Sequence, residues 1–306
     1  MVDANLLPTS LQEMSIYYLA NAQRDLGDSA ASRRSMQRVA DGDGRLAPAA
    51  RRGLAHLARL AGDFPTALRT ARTLGWEGRG HRVEGDLWWV QGDMERAATA
   101  YEAARAEAEE HGIAGERAIC QAQRAFTLAF TDPDIAAEEI DLAEQLLTGL
   151  NQRATSLTVR IAALVRNAGR PSAQVDDRAQ LLRAEAQVAG VVAAEAILGL
   201  GVAFHCAVAN DHDQITASIN RLRTLTQGGA HAYYIDIAHF MADQPLAEPS
   251  TARWLDGAEP TRRRWRALVT ARRNLVLQPP EAEPQENTQP WNVVGSPVPC
   301  APALTG

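Results

Sequence analysis

The sequence contains no lysine, although 31 of its 306 residues are basic and every one of these is arginine. Without lysine the chain can form neither a phosphate-binding loop of the GxxxxGK[ST] type nor a lysine Schiff base. Aromatic residues make up only 5% of the chain, whereas hydrophobic residues, many of them alanine, make up 46%. Because alanine favours helices and strands favour aromatic and β-branched residues, this composition predicts an all-α protein.

Cysteines are also few, and Cys120, Cys206 and Cys300 are far apart without any CxxC spacing. This pattern predicts neither a disulfide framework nor a zinc site. We find no stretch of about 18 apolar residues, and the first residues lack the positive flank and apolar block of a signal peptide. We therefore expect a cytoplasmic protein without a membrane partner. The net charge of −6 argues against a nucleic-acid partner.

A Gly-Asp step recurs along the first hundred residues, with its glycines at Gly27, Gly62 and Gly92. The spacing of roughly 30 to 35 residues is typical of repeated helix pairs. Glycine can end one helix in the left-handed conformation, and the aspartate that follows can cap the next helix. Small or apolar residues stand five, nine and twelve positions after each glycine and predict one buried stripe on the second helix: Ser32, Met36, Val39; Ala67, Ala71, Leu74; Ala97, Tyr101, Ala104.

Two later segments show the same stripe more weakly, starting from Thr131 and from Asn210. Asparagine also tolerates the left-handed turn, so Asn210 can take the place of the glycine. The corresponding stripe positions are Ala136, Ile140, Ala143 and Ile215, Ile219, Leu222. The sequence thus predicts about six helix pairs between Leu11 and Leu225, followed by a seventh, less regular one.

The best of these units, GDLWWVQGDMERAATAYEAA, resembles the tetratricopeptide repeat through Gly85, Trp88, Gly92, Ala97, Tyr101 and Ala104. The resemblance implies a right-handed α-solenoid of antiparallel helix pairs. It also implies a non-enzymatic scaffold or adaptor that binds a protein or peptide on its concave surface. Arginines on that surface would suit acidic chain ends or carboxylates.

The region from Tyr101 to Leu246 also resembles the repeat region of actinobacterial multidomain regulators, in EHGIAGERAICQAQRAFTLAFTDPDIAAEEIDLAEQLL and AYYIDIAHFMADQPL. In those proteins the repeats follow an ATPase module. The resemblance implies an alternative function, namely a ligand- or peptide-sensing arm that acts with an ATPase or DNA-binding domain in trans. The arginine-rich, lysine-free composition is typical of a GC-rich bacterial genome.

Composition divides the chain into three parts: a helical repeat domain at 1–246, a basic capping helix at 247–276 and a proline-rich tail at 277–306. The tail has little periodicity and cannot bury a core of its own, which predicts disorder. One further hypothesis is that PWNVVGSPVPC folds back into the concave groove and blocks it.

Two places are candidates for contact with a partner. Adjacent helical residues point about 100° apart, so Trp88 can pack in the core while Trp89 is left without a packing role and faces the groove. The second is EPTRRRWRALVTARR, where the partner-binding candidates are Arg262, Arg263, Arg264 and Trp265. Arginine with tryptophan can hold an acidic partner, although a terminal helix with a solvated outer face is the alternative.

The remaining motifs favour no catalytic, cofactor or metal site. GWEGRGH is glycine-rich, but no strand precedes it and no Lys or Ser/Thr follows its last glycine. Two histidine-containing stretches hold His205, Cys206, His212 and His231, Asp236, His239, with only Asp236 and His239 on a shared helical face. Because no nucleophile, base and orienting group come together, an enzyme is the least favoured class.

Overall fold

The computed structural model describes residues 8–26, 28–170, 172–226, 231–246, 254 and 257–277. These residues form fourteen α-helices and no strand, which confirms the all-α prediction. Gly27 and the tail after Leu277, including the stretch proposed to block the groove, lie outside the described residues. The helices are α1 Thr9–Asp25, α2 Ser29–Ala40, α3 Ala47–Leu60, α4 Phe64–Ala71, α5 Gly80–Val90, α6 Met94–Glu110, α7 Ala114–Leu128, α8 Pro133–Leu147, α9 Arg153–Arg166, α10 Ser172–Val188, α11 Val192–Ala209, α12 His212–Leu225, α13 Tyr233–Met241 and α14 Ala258–Leu277.

The helices pack as consecutive antiparallel pairs that form an α-solenoid. Contacts join α1 to α2, α3 to α4 and so on to α11 with α12, and each second helix also contacts the first helix of the next pair. First helices contact one another as well, α3 with α5, α7 with α9 and α9 with α11. Six pairs between Thr9 and Leu225, followed by α13 with α14, confirm the predicted pair count.

Three turns within helix pairs have the structure that the Gly-Asp step predicts. Gly62 and Gly92 have positive φ angles of 77° and 73°, and Asn210 has 61°. The aspartate after each of them accepts a hydrogen bond from a backbone N–H in the first turn of the next helix, at 3.1 to 3.3 Å. Each step therefore ends one helix and caps the next, as the sequence predicts.

The predicted stripe is buried in all five units that carry it: Ser32, Met36, Val39; Ala67, Ala71, Leu74; Ala97, Tyr101, Ala104; Ala136, Ile140, Ala143; Ile215, Ile219, Leu222. Small residues at the facing positions allow the close approach of the paired helices. The tightest case is Gly85, where a Cβ atom would lie 2.7 Å from the ring of Tyr101.

Helix α14 lies across the carboxyl ends of four first helices. Trp265 donates its Nε1–H to the last carbonyl of α5 at 3.1 Å. Arg272 donates to the carbonyls of Ala129, just after α7, at 2.6 Å and of Arg166, at the end of α9, at 2.9 Å. Arg273 donates to a carbonyl in the last turn of α11 at 2.6 Å. Cationic donors at helix carboxyl ends satisfy otherwise unpaired carbonyls and interact favourably with the helix dipoles.

Helix α11, Val192–Ala209, is long and apolar enough to cross a membrane, judged by length and composition alone. The prediction that the sequence contains no such apolar stretch is therefore wrong. Glu195 and His205 interrupt its apolar character. Since 72% of the segment is buried against other parts of the chain, its packing in the solenoid accounts for its composition.

Candidate functional site

The first helices of successive pairs line a groove on the inner side of the solenoid. Side chains from α3, α5, α7, α9, α11 and the start of α13 enclose a cavity of about 290 Å³. A second cavity of about 240 Å³ extends toward α1. His56, Arg59, Arg82 and Asp86 line both cavities, which we therefore treat as one groove.

The end of the groove formed by α1, α3 and α5, which we refer to as the arginine end, is lined by Arg24, Arg52, Arg59 and Arg82. Asp86 is the only carboxylate that lines this cavity among the described residues. Asp86 pairs with Arg59, and Glu116 pairs with Arg82 from outside the lining, which leaves the positive charge of Arg52 without a carboxylate although the whole chain has a net charge of −6. An unbalanced charge in a cleft attracts ligands of the opposite sign.

Asp86 is already occupied by neighbouring donors. Arg59 approaches one of its oxygens at 3.2 Å, and the hydroxyl of Tyr101 donates to the other at 2.8 Å. Burial lowers the pKa of Arg59, but the Asp86 carboxylate together with the neighbouring tyrosines outweighs this effect and raises the pKa above its ordinary value. Burial together with Asp86 raises the pKa of Tyr101 well above its usual range, so the phenol keeps its proton.

Glu116 of α7 neutralises two further arginines. Arg82 lies 2.6 Å from its carboxylate and Arg79 lies 3.5 Å from it. The guanidinium of Arg79 also covers the ring of Trp76, 3.8 Å from the ring centroid, in the loop before α5. Burial lowers the pKa of Arg82, but the Glu116 and Asp86 carboxylates, with smaller contributions from Cys120 and Tyr101, raise it above the ordinary value. These contacts fix α5 against α7 on the side of the groove.

Two histidines at the groove are neutral. His56 Nδ1 lies 3.0 Å from a terminal nitrogen of Arg59, and because a guanidinium can only donate, Nδ1 accepts and the ring proton lies on Nε2. Burial and the charge of Arg59 lower the pKa of His56 well below its ordinary value. Burial, with Arg59, likewise lowers the pKa of His231 to about 3, and its ring stacks on Tyr234.

Arg52 differs from its neighbours because it has no carboxylate to neutralise it. Among the described residues it makes no hydrogen bond or ion pair, although it is half-buried and lines the groove. Burial and the nearby charge of Arg82 lower the pKa of Arg52. Desolvation of an uncompensated cation is costly, so a ligand that supplied a negative charge here would remove that cost.

The opposite end of the groove, which we refer to as the aromatic end, is lined by Trp89, Phe126, Ile197 and Tyr234. The ring centroid of Trp89 lies 5.4 Å from that of Phe126 and 6.1 Å from that of Tyr234. These side chains offer an apolar surface with ring edges and faces for contact.

The structure corrects the assignment of the two adjacent tryptophans. Trp89 is only 5% exposed and packs among Phe126, Phe130 and Trp265, so the prediction that it lacks a packing role is wrong. Trp88 is half-exposed, and Arg96 lies over its ring at 4.8 Å. The expectation rested on the partner helix α6 alone, whereas α5 also buries a face against α7, α13 and α14. Contact between Trp89 and a ligand stays a prediction.

The other predicted partner contacts lie on α14, outside the residues that line the groove. Trp265 is fully buried and has no surface to offer a partner in this conformation. Arg262 pairs with Asp243 at 2.8 Å, and Arg264 lies 3.8 Å from Asp93. Arg263 is the most exposed of the three, with Glu259 at 4.0 Å. An acidic partner at these arginines stays a prediction.

In the cysteine and histidine stretches, His205, Cys206 and Asp236 are buried, whereas His212 is exposed. Cys120 and Cys206 are buried, and burial raises the pKa of each thiol to about 12, which keeps them protonated. His205 Nδ1 accepts from the backbone N–H of Gly169 at 3.1 Å, and His239 Nδ1 lies 3.1 Å from the side-chain oxygen of Gln244. Among the described residues, no group of three or more His, Cys, Asp or Glu side chains could hold a metal ion.

Sequence reasoning did not single out His56, Arg59, Arg82 or Asp86. A usable signal was nevertheless present, because His56 and Arg59 are three residues apart on α3, and Arg82 and Asp86 are four apart on α5. Such pairs share one helical face. On the first helix of a repeat unit, ionisable residues that share a face mark either the solvent side or the groove.

The comparison with known families supports the repeat interpretation over the first part of the chain. A family model described as a tetratricopeptide repeat-like domain matches residues 5–125. The match spans α1 to α6 and most of α7, and so includes the arginine end of the groove. It supports a tetratricopeptide-type protein. No curated protein matches the chain.

Proposed function

We propose that the protein is a non-enzymatic interaction scaffold that binds a segment of a partner protein in the groove. The tetratricopeptide-like match suggests a protein-interaction role, which α-solenoids perform with an extended concave surface. The observation that carries the proposal is the convergence of side chains from at least five first helices on one groove with charged and apolar ends.

The proposal is tested by selecting peptides from a displayed random library on the immobilised full chain, followed by affinity measurements on the enriched peptides. Ala154, exposed in the first turn of α9, lines the groove, and Ala154→Trp should fill it. The matched control is Ala106→Trp at an exposed position of the second helix α6. We expect Ala154→Trp to weaken binding by at least about tenfold, the equivalent of about 1.4 kcal/mol, and Ala106→Trp to leave it unchanged. Equal effects of the two variants would contradict binding in the groove.

A second candidate function is the sensing arm of a bacterial signalling or transcription regulator that acts with an ATPase or DNA-binding domain in trans. The contact between Trp89, which lines the groove, and Trp265 of α14, with ring centroids 5.8 Å apart, favours it. Because one aromatic cluster joins the groove and α14, a ligand in the groove could bias the docking of α14. As part of this proposal we place the protein in the bacterial cytoplasm.

The sensing function makes a separate prediction for hydrogen exchange. Binding of an enriched peptide should change amide protection in Ala258–Leu277 as well as in the groove helices. Protection confined to the groove helices would support the scaffold and contradict the sensing arm.

A further inference from the structure

Two groups at the arginine end of the groove, His56 and Arg52, can donate hydrogen bonds to an acceptor on a ligand. The proton on His56 Nε2 follows from the bond that Nδ1 accepts from Arg59. Arg52 adds a guanidinium with no hydrogen bond or ion pair among the described residues. The one carboxylate there, Asp86, already interacts with Arg59 and Tyr101 through both of its oxygens. A ligand at this end must therefore bring acceptors, and a carboxylate does so with the matching charge.

At the aromatic end, aromatic and aliphatic side chains offer an apolar surface, although Thr155 and Thr158 line the same cavity. Phe126 and Trp89 form one wall, and Ile197 lies on α11 across from them. A buried apolar side chain would gain roughly 1.5–3 kcal/mol on leaving water. The two ends therefore favour different parts of one occupant.

We propose that the groove is selective for an acidic segment of a partner protein, with one carboxylate side chain against Arg52 and one apolar side chain in the aromatic end. This inference rests on the proposed scaffold function and adds the chemistry of the partner. Arg52 is then the specificity-determining residue, because Arg59 and Arg82 already pair with Asp86 and Glu116. The uncompensated positive charge of Arg52 and an acidic segment are complementary in charge.

The fold also limits the spacing of the two ligand side chains. Arg52 lies on α3 and Phe126 on α7, with α5 between them. Adjacent packed helices are about 8–10 Å apart, and an extended chain advances about 3.3 Å per residue. Two such steps span about 16–20 Å, so the acidic and apolar residues of the ligand should be separated by roughly five to six residues.

The experiment uses the peptides enriched from the random library on the full chain. Each peptide is synthesised with its acidic residue intact and with the corresponding amide, Glu→Gln or Asp→Asn. Affinities are measured by fluorescence anisotropy for the original protein, for Arg52→Gln and for Arg34→Gln. The last variant is the matched control, since Arg34 is exposed on the second helix α2 and its loss changes the net charge equally.

We expect enrichment of an acidic residue roughly five to six positions from an apolar one. On the original protein the amide peptide should bind at least about tenfold more weakly, in line with a charge-assisted hydrogen bond. The affinities of the acidic and amide peptides for Arg52→Gln should differ by less than about twofold, because this variant already lacks the interaction between the guanidinium and the carboxylate. Arg34→Gln should bind both peptides with the affinities of the original protein. Arg52→Gln should be no less stable than the original protein, because the substitution removes an unpaired cation.

Enriched peptides that lack acidic residues, or an acid-to-amide difference that persists in Arg52→Gln, would overturn the inference while leaving the scaffold function intact. A library that yields no peptide sensitive to Ala154→Trp would instead remove the scaffold function, and the inference with it.

Discussion

Replacement of Trp265 by alanine tests whether α14 is an integral part of the solenoid. Its ring packs edge-to-face against Trp89 at 5.8 Å and Phe130 at 5.4 Å, and its Nε1–H donates to the last carbonyl of α5. Truncation of a fully buried tryptophan costs about 3–5 kcal/mol, and the lost hydrogen bond adds about 1 kcal/mol. We expect a loss of about 4–6 kcal/mol, a large part of a total stability of roughly 5–15 kcal/mol.

The assay combines urea unfolding, followed by far-UV circular dichroism, with hydrogen exchange of Ala258–Leu277. Because the stability of a solenoid is partly local, detachment of α14 should show first as faster amide exchange in that helix. Trp265→Phe keeps the ring contacts and should lose only about 1–2 kcal/mol, mainly through the unpaired carbonyl of α5. Arg263→Ala, at an exposed position of the same helix, should change stability by less than about 0.5 kcal/mol. The reasoning is refuted if Trp265→Ala and Arg263→Ala unfold at the same urea concentration.

Three further predictions concern stability measured by urea unfolding. Gly85→Ala should lose about 1–3 kcal/mol, because the new Cβ would lie 2.7 Å from the ring of Tyr101, whose hydroxyl is held by a carboxylate; an unchanged midpoint would contradict this contact. His231 has a folded-state pKa of about 3, below its ordinary 6.5, so the folded state binds fewer protons and stability falls as the pH drops below 6.5. By about pH 5 the protonation of His231 alone should lower the free energy of unfolding by about 2 kcal/mol. His231→Gln should remove that share of the pH dependence of stability. An identical pH dependence in the variant argues against a buried neutral ring. Asp63 caps the N-terminus of α4, so Asp63→Ala should lower the free energy of unfolding by about 1 kcal/mol, whereas Asp63→Asn should retain most of the stability. Equal losses in the two variants would exclude capping.

The repeat architecture could be predicted because its determinants are local in sequence. A glycine or asparagine in the left-handed conformation, followed by an aspartate cap, marks three of the turns within pairs, at Gly62, Gly92 and Asn210. The stripe five, nine and twelve residues later then follows from the helical period alone. These features need no knowledge of distant contacts. The structure shows the stripe residues buried as predicted, although Leu74 lies just beyond the end of α4.

The groove and the docking of α14 could not be predicted in the same way. Trp265 and the carbonyl it binds, that of Val90, are 175 residues apart in sequence. The burial of Trp89 depends on that same docking, so periodicity within α5 assigned the wrong one of two adjacent tryptophans. The arginine end likewise combines side chains from three helices, and only the packing of those helices in the structure shows that they converge.

The most direct test of groove binding is to map where a bound peptide lies. An enriched peptide with a photoreactive side chain in place of its apolar residue is cross-linked to the full chain, and the modified positions are identified by mass spectrometry. The account predicts cross-links on the inner faces of first helices α7, α9 and α11, near Gln123, Thr158 and Ile197. Cross-links confined to the second helices α6, α8 and α10 would contradict it.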